Sequence, residues 1–139
     1  MQYKKFKDTY FVRLERGEEI LSSLAALAEK ENITLACVSG LGAINKFTAG
    51  VFFPEEKVYR KNDFHGNFEI TSLTGTITRM DGKPYLHLHI SAGNEYGKVM
   101  GGHLNEAHVS ATCEVVVRTV EGEVGREFSK EIGLNLFKF

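Results

Sequence analysis

The hydrophobic pattern begins with strand-like sequence and continues with a single helix. Apolar and polar residues alternate from Phe11 to Leu14, and residues 3–14 are predicted to form strand structure. Gly17-Glu18-Glu19 is predicted to open a helix with an acidic first turn, which suits the positive end of the helix dipole. Asn32 suits a left-handed residue at the helix end. The apolar stripe of this helix consists of Ile20, Leu21, Leu24, Leu27 and Ala28.

From residue 33 onward the pattern has the period of strands. Met80–Pro84 is predicted to connect two of these strands as a hairpin. One helix among about eight strands joined by short turns predicts an α+β fold, with one main helix layered on an antiparallel sheet. The predicted strands cover residues 33–44, with a break at Gly40 and Gly42, then 47–53, 57–61, 68–78, 85–92 and 111–120, with short apolar segments at 126–132 and 134–139.

Length and charge narrow the class of protein. The chain has 139 residues, with 17 Lys and Arg against 18 Asp and Glu, and a formal net charge of −1. This length predicts one domain over residues 1–139, which buries about 68–70% of its unfolded surface and folds without a metal or disulfide. A bound metal would therefore serve function. The charge balance lacks the strong positive field of a domain that grips nucleic acid alone.

The N-terminus and the cysteines predict a cytoplasmic protein. Residues 1–7 carry lysines with no apolar stretch behind them, and no segment approaches the ~20 apolar residues of a membrane span. Cys37 and Cys113 lie far apart in apolar segments and lack CxxC spacing. We expect two buried free thiols rather than a disulfide or a cysteine metal site.

The common catalytic motifs are absent. Gly40-Leu41-Gly42 begins like a dinucleotide-binding loop, but Asn45 replaces the third glycine and strand-like sequence follows, so a glycine bulge is expected. The sequence contains neither a P-loop nor a GxSxG elbow. Nothing in the spacing of the glutamates singles out a catalytic pair.

Four of the five histidines fall between residues 87 and 108. A strand over 85–92 places His87 and His89 on one face, and His103 follows after a glycine-rich connection. Three neutral imidazoles, hereafter the histidine cluster (His87, His89 and His103), can hold Zn²⁺ with a fourth position open. A polar sheet face with hydrogen-bonded histidines is an equal alternative. His65 is expected in a loop and His108 in a turn, both as surface residues.

Several motifs, in order along the chain, resemble one family. The segment GNFEITSLTG over residues 66–75 resembles the GRFEILSLSG motif of the plant and prokaryote conserved (PPC) domain. Val38–Ala43, His87-Leu88-His89, residues 101–104 and residues 113–115 match other blocks of that family. The matched motif positions include Gly66, Phe68, Glu69, Gly75, Gly101, Gly102 and Glu114.

The resemblance implies a strongly bent antiparallel sheet, a homotrimer and a zinc site at the histidine cluster. In plants the domain follows AT-hooks that bind A·T-rich DNA, whereas free-standing prokaryotic members are labelled DNA-binding by analogy. This chain has no Arg-Gly-Arg-Pro core, so it resembles the free-standing type without an AT-hook.

Three functions remain open. The first is a regulatory assembly module without catalytic activity that associates with DNA or with a DNA-binding partner, using Lys57, Arg60 and Lys61. The second is a zinc-dependent enzyme or small-ligand binder at the histidine cluster. The third is a structural oligomer, in which apolar residues 133–139 complete the sheet or pack on a neighbour. The candidate acid/base residues of the second function are Glu69, Glu114 and Tyr85.

Overall fold

A computed structural model describes all residues from 1 to 139 as eight strands and one helix. The main sheet has the order β1-β2-β6-β3-β4-β5, and every pairing is antiparallel. Strand β5 also pairs with β6, so β6, β3, β4 and β5 form a closed ring of strands. The fold is therefore mostly antiparallel sheet with one short helix, as predicted in outline. The elements are β1 (Gln2–Phe6), β2 (Thr9–Glu15), α1 (Ile20–Lys30), β3 (Ala36–Phe53), β4 (Val58–Met80), β5 (Lys83–Asn94), β6 (Val99–Thr119), β7 (Gly125–Ser129) and β8 (Leu134–Lys138).

Strands β3, β4 and β6 are much longer than predicted, and β6 begins at Val99 instead of residue 111. β3 joins the two segments expected at 33–44 and 47–53, and β4 joins those expected at 57–61 and 68–78. The break between the two predicted parts of β3 is a register shift between Ile44 and Lys46, and a second shift between Gly40 and Gly42 is the expected glycine bulge. Two histidine predictions are consequently wrong. His65 lies in β4 rather than a loop, and His108 lies in β6 rather than a turn.

The helix starts and ends close to the predicted positions. Glu19 is the N-cap instead of part of an acidic first turn, and its carboxylate accepts hydrogen bonds from the backbone N–H groups of Leu21 and Ser22. Asn32 follows the helix with φ +49°, as expected of a left-handed terminating residue. The buried stripe of Ile20, Leu24, Leu27 and Ala28 packs the helix against β5 and β6. No helix has the length and apolar character that crossing a membrane would require.

The core lies between this helix and the inner face of the bent sheet. Phe47 is fully buried, with its ring stacked 4.6 Å from that of Phe64 and edge-on to Phe68 at 5.2 Å. Cys113 is a buried free thiol, as predicted, and burial raises its pKa to about 12. Cys37 is also free, but it is exposed, so the prediction of a buried thiol is wrong at this position. Its side chain points to the face of β3 opposite to the buried Ala36 and Val38.

The C-terminal strands form a separate hairpin. β7 and β8 pair only with each other. The prediction that residues 134–139 complete the main sheet is therefore wrong. Arg126 of β7 attaches this hairpin to the main sheet, since its guanidinium donates hydrogen bonds to the hydroxyls of Thr78 and Thr76. The same guanidinium lies over the rings of Tyr85 and Phe137.

Candidate metal site

Two paired strands bring the three cluster histidines together. His87 and His89 alternate with the buried Leu88 and Ile90 on β5, so both imidazoles project from the outer face. His103 of β6 lies directly opposite His89 in the antiparallel register. The three ring centroids are 5.1–5.6 Å apart, and one ligand atom from each ring lies within 4.8 Å of the others.

Glycines allow the strands to approach closely enough for this geometry. A Cβ on Gly101 would lie 2.1 Å from the carbonyl oxygen of Ile90, and one on Gly102 would lie 2.5 Å from that of Gly50. Gly75 of the family motif has the same role on β4, because its Cβ would lie 2.0 Å from the carbonyl oxygen of His87. These three positions exclude every other residue type unless the backbone moves, and they fix the strands that carry the imidazoles.

Two further side chains border the cluster. The ring of Tyr59 stands perpendicular to that of His103 at 6.0 Å. Its hydroxyl donates to Asn105 Oδ1 at 2.5 Å and lies 3.2 Å from the His103 carbonyl oxygen. Burial raises the pKa of Tyr59, so the phenol stays protonated and keeps this hydrogen bond. On the other side, Arg126 lies close enough to His87 to influence its charge.

The environment keeps two of the imidazoles neutral. Burial lowers the pKa of His87, and the nearby charges of His103, Arg126 and His89 lower it further. Burial is also the main cause of the lowered pKa of His103, with His89 as a second cause. A metal binds the unprotonated imidazole nitrogen, so these shifts favour metal binding at neutral pH.

The donor set fits a divalent transition metal. Zinc binds imidazole nitrogens at about 2.0–2.1 Å in a tetrahedron, which places the nitrogens of neighbouring ligands roughly 3.3 Å apart. Small side-chain rotations would bring the cluster atoms from within 4.8 Å to this spacing. None of the three imidazoles is fully buried, so a fourth ligand can reach the metal from outside.

The predicted acid/base residues do not join the cluster. Glu69 lies opposite Gly93, four positions along β5 from His89, or roughly 13 Å at strand spacing. Glu114 lies in another part of β6, opposite Arg13. Tyr85 is two positions from His87 on the same face, but its ring lies beneath the guanidinium of Arg126.

The predicted nucleic-acid residues lie at the far end of the β3–β4 hairpin. Lys57 donates to the carbonyl oxygen of Lys130 at 2.8 Å. Arg60 forms an ion pair with Glu56 at 2.7 Å and lies over the ring of Phe53. Lys61 is exposed and has no side-chain partner. Two of the three cations are therefore already engaged within the chain.

The remaining family-motif positions have structural surroundings. Phe68 is buried against Phe47, and Gly66 next to it has φ +138°. Glu69 and Glu114 are exposed. Sequence reasoning did not identify Tyr59 or Arg126 as neighbours of the cluster. Their places depend on the register of β4 and on the docking of β7, for which the local pattern contains no signal.

Comparisons with known proteins give one consistent family. The family model described as the Plants and Prokaryotes Conserved (PCC) domain matches residues 1–121. A protein from Bacteroides thetaiotaomicron, named as a proposed DNA-binding protein, is 33% identical with a TM-score of 0.96, over 99% of this chain and 96% of that one. No curated protein sequence gives a significant match.

Two archaeal structures are similar over almost the whole chain. A metal-containing protein from Archaeoglobus fulgidus is 32% identical with a TM-score of 0.90, over 99% of this chain and 97% of that one. A plant- and prokaryote-conserved (PPC) protein from Pyrococcus horikoshii is 33% identical with a TM-score of 0.87, over 99% and 94% of the two chains.

Proposed function

Because this chain belongs to the PPC domain family, we propose that it is a PPC module that holds a divalent metal, Zn²⁺ in the first place, between His87, His89 and His103. The observation that carries the proposal is the convergence of three imidazole nitrogens within 4.8 Å on adjacent strands. We further propose that residues 1–139 form one PPC-like domain, which the coverage of the structural relatives supports beyond the family match at 1–121.

Several observations support a resident metal. The lowered pKa values of His87 and His103 keep both donors in the form that binds metal. The relative from Archaeoglobus fulgidus is named as metal-containing. When bound, a zinc ion with three histidine ligands supplies a Lewis-acid position that water or another ligand can occupy. This chain's own residues hold the donors in place through the close strand contacts at Gly101 and Gly102.

The metal proposal is tested by elemental analysis of protein purified without chelator or added metal. We expect about one zinc per chain in the wild type, and almost none in His89→Ala, because three ligands are needed for tight binding. His65→Ala is the matched control, since this exposed histidine lies outside the cluster. Wild-type protein without a transition metal would contradict the proposal, and so would equal metal content in wild type and His89→Ala.

We propose a homotrimer as the assembled form. The outer face of β2, β3 and β6 supports this proposal, since it carries an open groove of ≈ 650 Å³ at whose rim Phe11 and Leu41 are more than half exposed. Exposed apolar area of this kind is typical of a surface that a partner covers. Light scattering should give three times the chain mass for the wild type and a lower mass for Phe11→Glu. A monomeric wild type would refute the trimer.

DNA association is the second part of the proposed function. It rests on two relatives named as proposed DNA-binding proteins, from Bacteroides thetaiotaomicron and Ralstonia eutropha. Lys57, Arg60 and Lys61 are the proposed contacts, with the two engaged cations exchanging their present partners for phosphates. Binding of duplex DNA should fall steeply with salt, and a Lys57/Arg60/Lys61→Gln triple variant should weaken it. Failure to retain duplex DNA at low salt would refute direct binding.

A zinc-dependent enzyme or small-ligand binder is the alternative proposal. Its support is the open side of the histidine cluster, where a small molecule could reach the metal. The positions of Glu69 and Glu114 away from the cluster leave this proposal without its expected general base. For this reason the assembly module is the function that the geometry supports best.

A further inference from the structure

Basic side chains form a row across three neighbouring strands, away from the histidine cluster. Lys46 of β3 lies opposite His65 of β4 on one side and opposite His108 of β6 on the other. Directly paired residues of antiparallel strands point to the same face, with their Cβ atoms about 4.5–5.5 Å apart. Lys46 is the fixed positive charge of this row, and the Glu106 carboxylate accepts a hydrogen bond from it at 2.9 Å.

These three side chains line one surface depression of ≈ 410 Å³ together with the loop that precedes the helix. Arg16 of this loop adds a fourth basic group, and Asn45 adds an amide. Glu106 is not among the lining residues, although its carboxylate contacts Lys46 and His108 from behind them. We call this surface the basic depression; its lining residues are Arg16, Gly17, Asn45, Lys46, His65, His108 and Val109.

The donors of the basic depression are only partly used within the chain. Lys46 Nζ donates to Glu106 at 2.9 Å, and the same carboxylate oxygen lies 2.5 Å from His108 Nε2. Glu106 lies two positions from His108 on β6, outside the depression. Glu106, and to a smaller extent Asp63, raise the pKa of Lys46. The side chains of Arg16, Asn45 and His65 have no hydrogen-bond partner, and all three are exposed.

This pattern differs from that of the other candidate basic surface. At the β3–β4 hairpin, Lys57 and Arg60 each have a partner within the chain. In the basic depression Lys46 and His108 share Glu106, but Arg16, Asn45 and His65 add unpartnered donors from three separate segments to the same concave surface. Arginine, lysine and imidazole donors around one concavity are the groups that bind oxyanions through charge-assisted hydrogen bonds.

We propose that the basic depression is a binding site for a phosphate group. Arg16 and Lys46 provide fixed positive charge, and His65 with Asn45 provides further donors to separate phosphate oxygens. Glu106 holds Lys46 and His108 in place from the far side, so these donors are partly pre-organised for the anion. The site does not depend on a metal at the histidine cluster, and it can stand or fall separately from the proposed function.

The test is titration with inorganic phosphate at neutral pH and low salt, followed by NMR of the backbone amides. The His89→Ala protein is titrated in parallel, so that phosphate bound to a metal in the histidine cluster is recognised. We expect saturable shifts centred on Gly17 and Asn45. Arg16→Gln and Lys46→Gln should each weaken binding about tenfold, because each removes a charge-assisted hydrogen bond. Arg16 is exposed and unpaired, so its variant should fold normally.

Lys83→Gln is the matched control, because it removes an exposed lysine from the β4–β5 turn region and should leave phosphate affinity unchanged. A short DNA duplex then distinguishes two sources of the phosphate. Duplex binding that weakens in the same two variants identifies a phosphodiester backbone, whereas phosphate binding without duplex binding identifies a small phosphorylated compound. Shifts that do not saturate would overturn the proposal. Equal affinity in wild type, Arg16→Gln and Lys46→Gln would also overturn it.

Discussion

Replacing Arg126 with alanine should release the C-terminal hairpin from the main sheet. The Arg126 guanidinium is held between two aromatic rings, at 4.7 Å from the centroid of Tyr85 and 4.2 Å from that of Phe137. Its Nε donates to the Thr78 hydroxyl at 3.1 Å, and a terminal nitrogen donates to the Thr76 hydroxyl at 3.4 Å, both on β4. Since β7 and β8 pair with no other strand, this side chain is the main polar connection between hairpin and sheet.

The size of the effect follows from these contacts. Each cation–π contact is worth about 0.5–2 kcal/mol, and a hydrogen bond to a charged group is worth about 1.5–3 kcal/mol. The contacts share one side chain and do not add fully, so we expect a loss of about 3 kcal/mol. At 1.4 kcal/mol for each factor of ten, the population of the open hairpin should rise by about 100-fold.

Hydrogen exchange measures this opening directly. The amides of β7 and β8 should exchange about 100-fold faster in Arg126→Ala, while those of β3 should change little. The pKa of His87 should rise toward its ordinary value, since opening reduces its burial and the substitution removes a nearby positive charge. Arg118→Ala is the control, because the Arg118 side chain is exposed and forms no ion pair or hydrogen bond. Unchanged exchange in the hairpin of Arg126→Ala would show that the guanidinium does not hold it.

Three further predictions concern Glu106, Gly50 and zinc binding. Hydrogen bonds from Lys46 and His108 lower the pKa of Glu106 from 4.5 to about 2, so its contribution to stability should be present above about pH 4.5 and vanish as the pH falls toward 2. Urea unfolding of Glu106→Gln should lack this acid-dependent part. Gly50→Ala should destabilise the fold by about 1–3 kcal/mol in thermal unfolding, because the new Cβ would lie 2.4 Å from the Arg60 carbonyl oxygen. Saturating zinc at 100 times its Kd should stabilise chelator-treated protein by about 2.7 kcal/mol, and should leave His89→Ala unchanged.

The sequence pattern predicted the helix and the general type of sheet because both depend on local periodicity. Of the predicted stripe, Ile20, Leu24, Leu27 and Ala28 are buried and Leu21 is partly buried. Asn32 has the expected left-handed backbone. The glycine bulge expected at Gly40 and Gly42 is confirmed, but the pattern failed between Ile44 and Phe47, where a local break in periodicity does not distinguish a bulge from a strand end. The missing information is the pairing of both halves of β3 with β4 and β6, which is a long-range property.

The candidate site could be predicted in part for the same reason. Alternation in His87-Leu88-His89 predicts two imidazoles on one face, and the structure confirms it. The position of His103 next to His89 is a hypothesis at the level of sequence, because it depends on the long-range pairing of β6 with β5. His108 is expected in a turn because it comes before the strand predicted over residues 111–120. Its actual place in β6 depends on its pairing with Lys46, a residue 62 positions earlier.

The net charge of −1 therefore says little about which anions the chain can bind. What matters is whether each cation is already engaged. Lys5 and Lys30 lie over tyrosine rings, and Arg60 is paired with Glu56, so none of these is free to recruit a ligand without losing a contact. In the basic depression Lys46 is paired with Glu106, but the side chains of Arg16, Asn45 and His65 have no partner to give up on binding an anion. A nearly neutral domain can thus present a local site for phosphate, and its salt dependence should reflect those few side chains instead of the total charge.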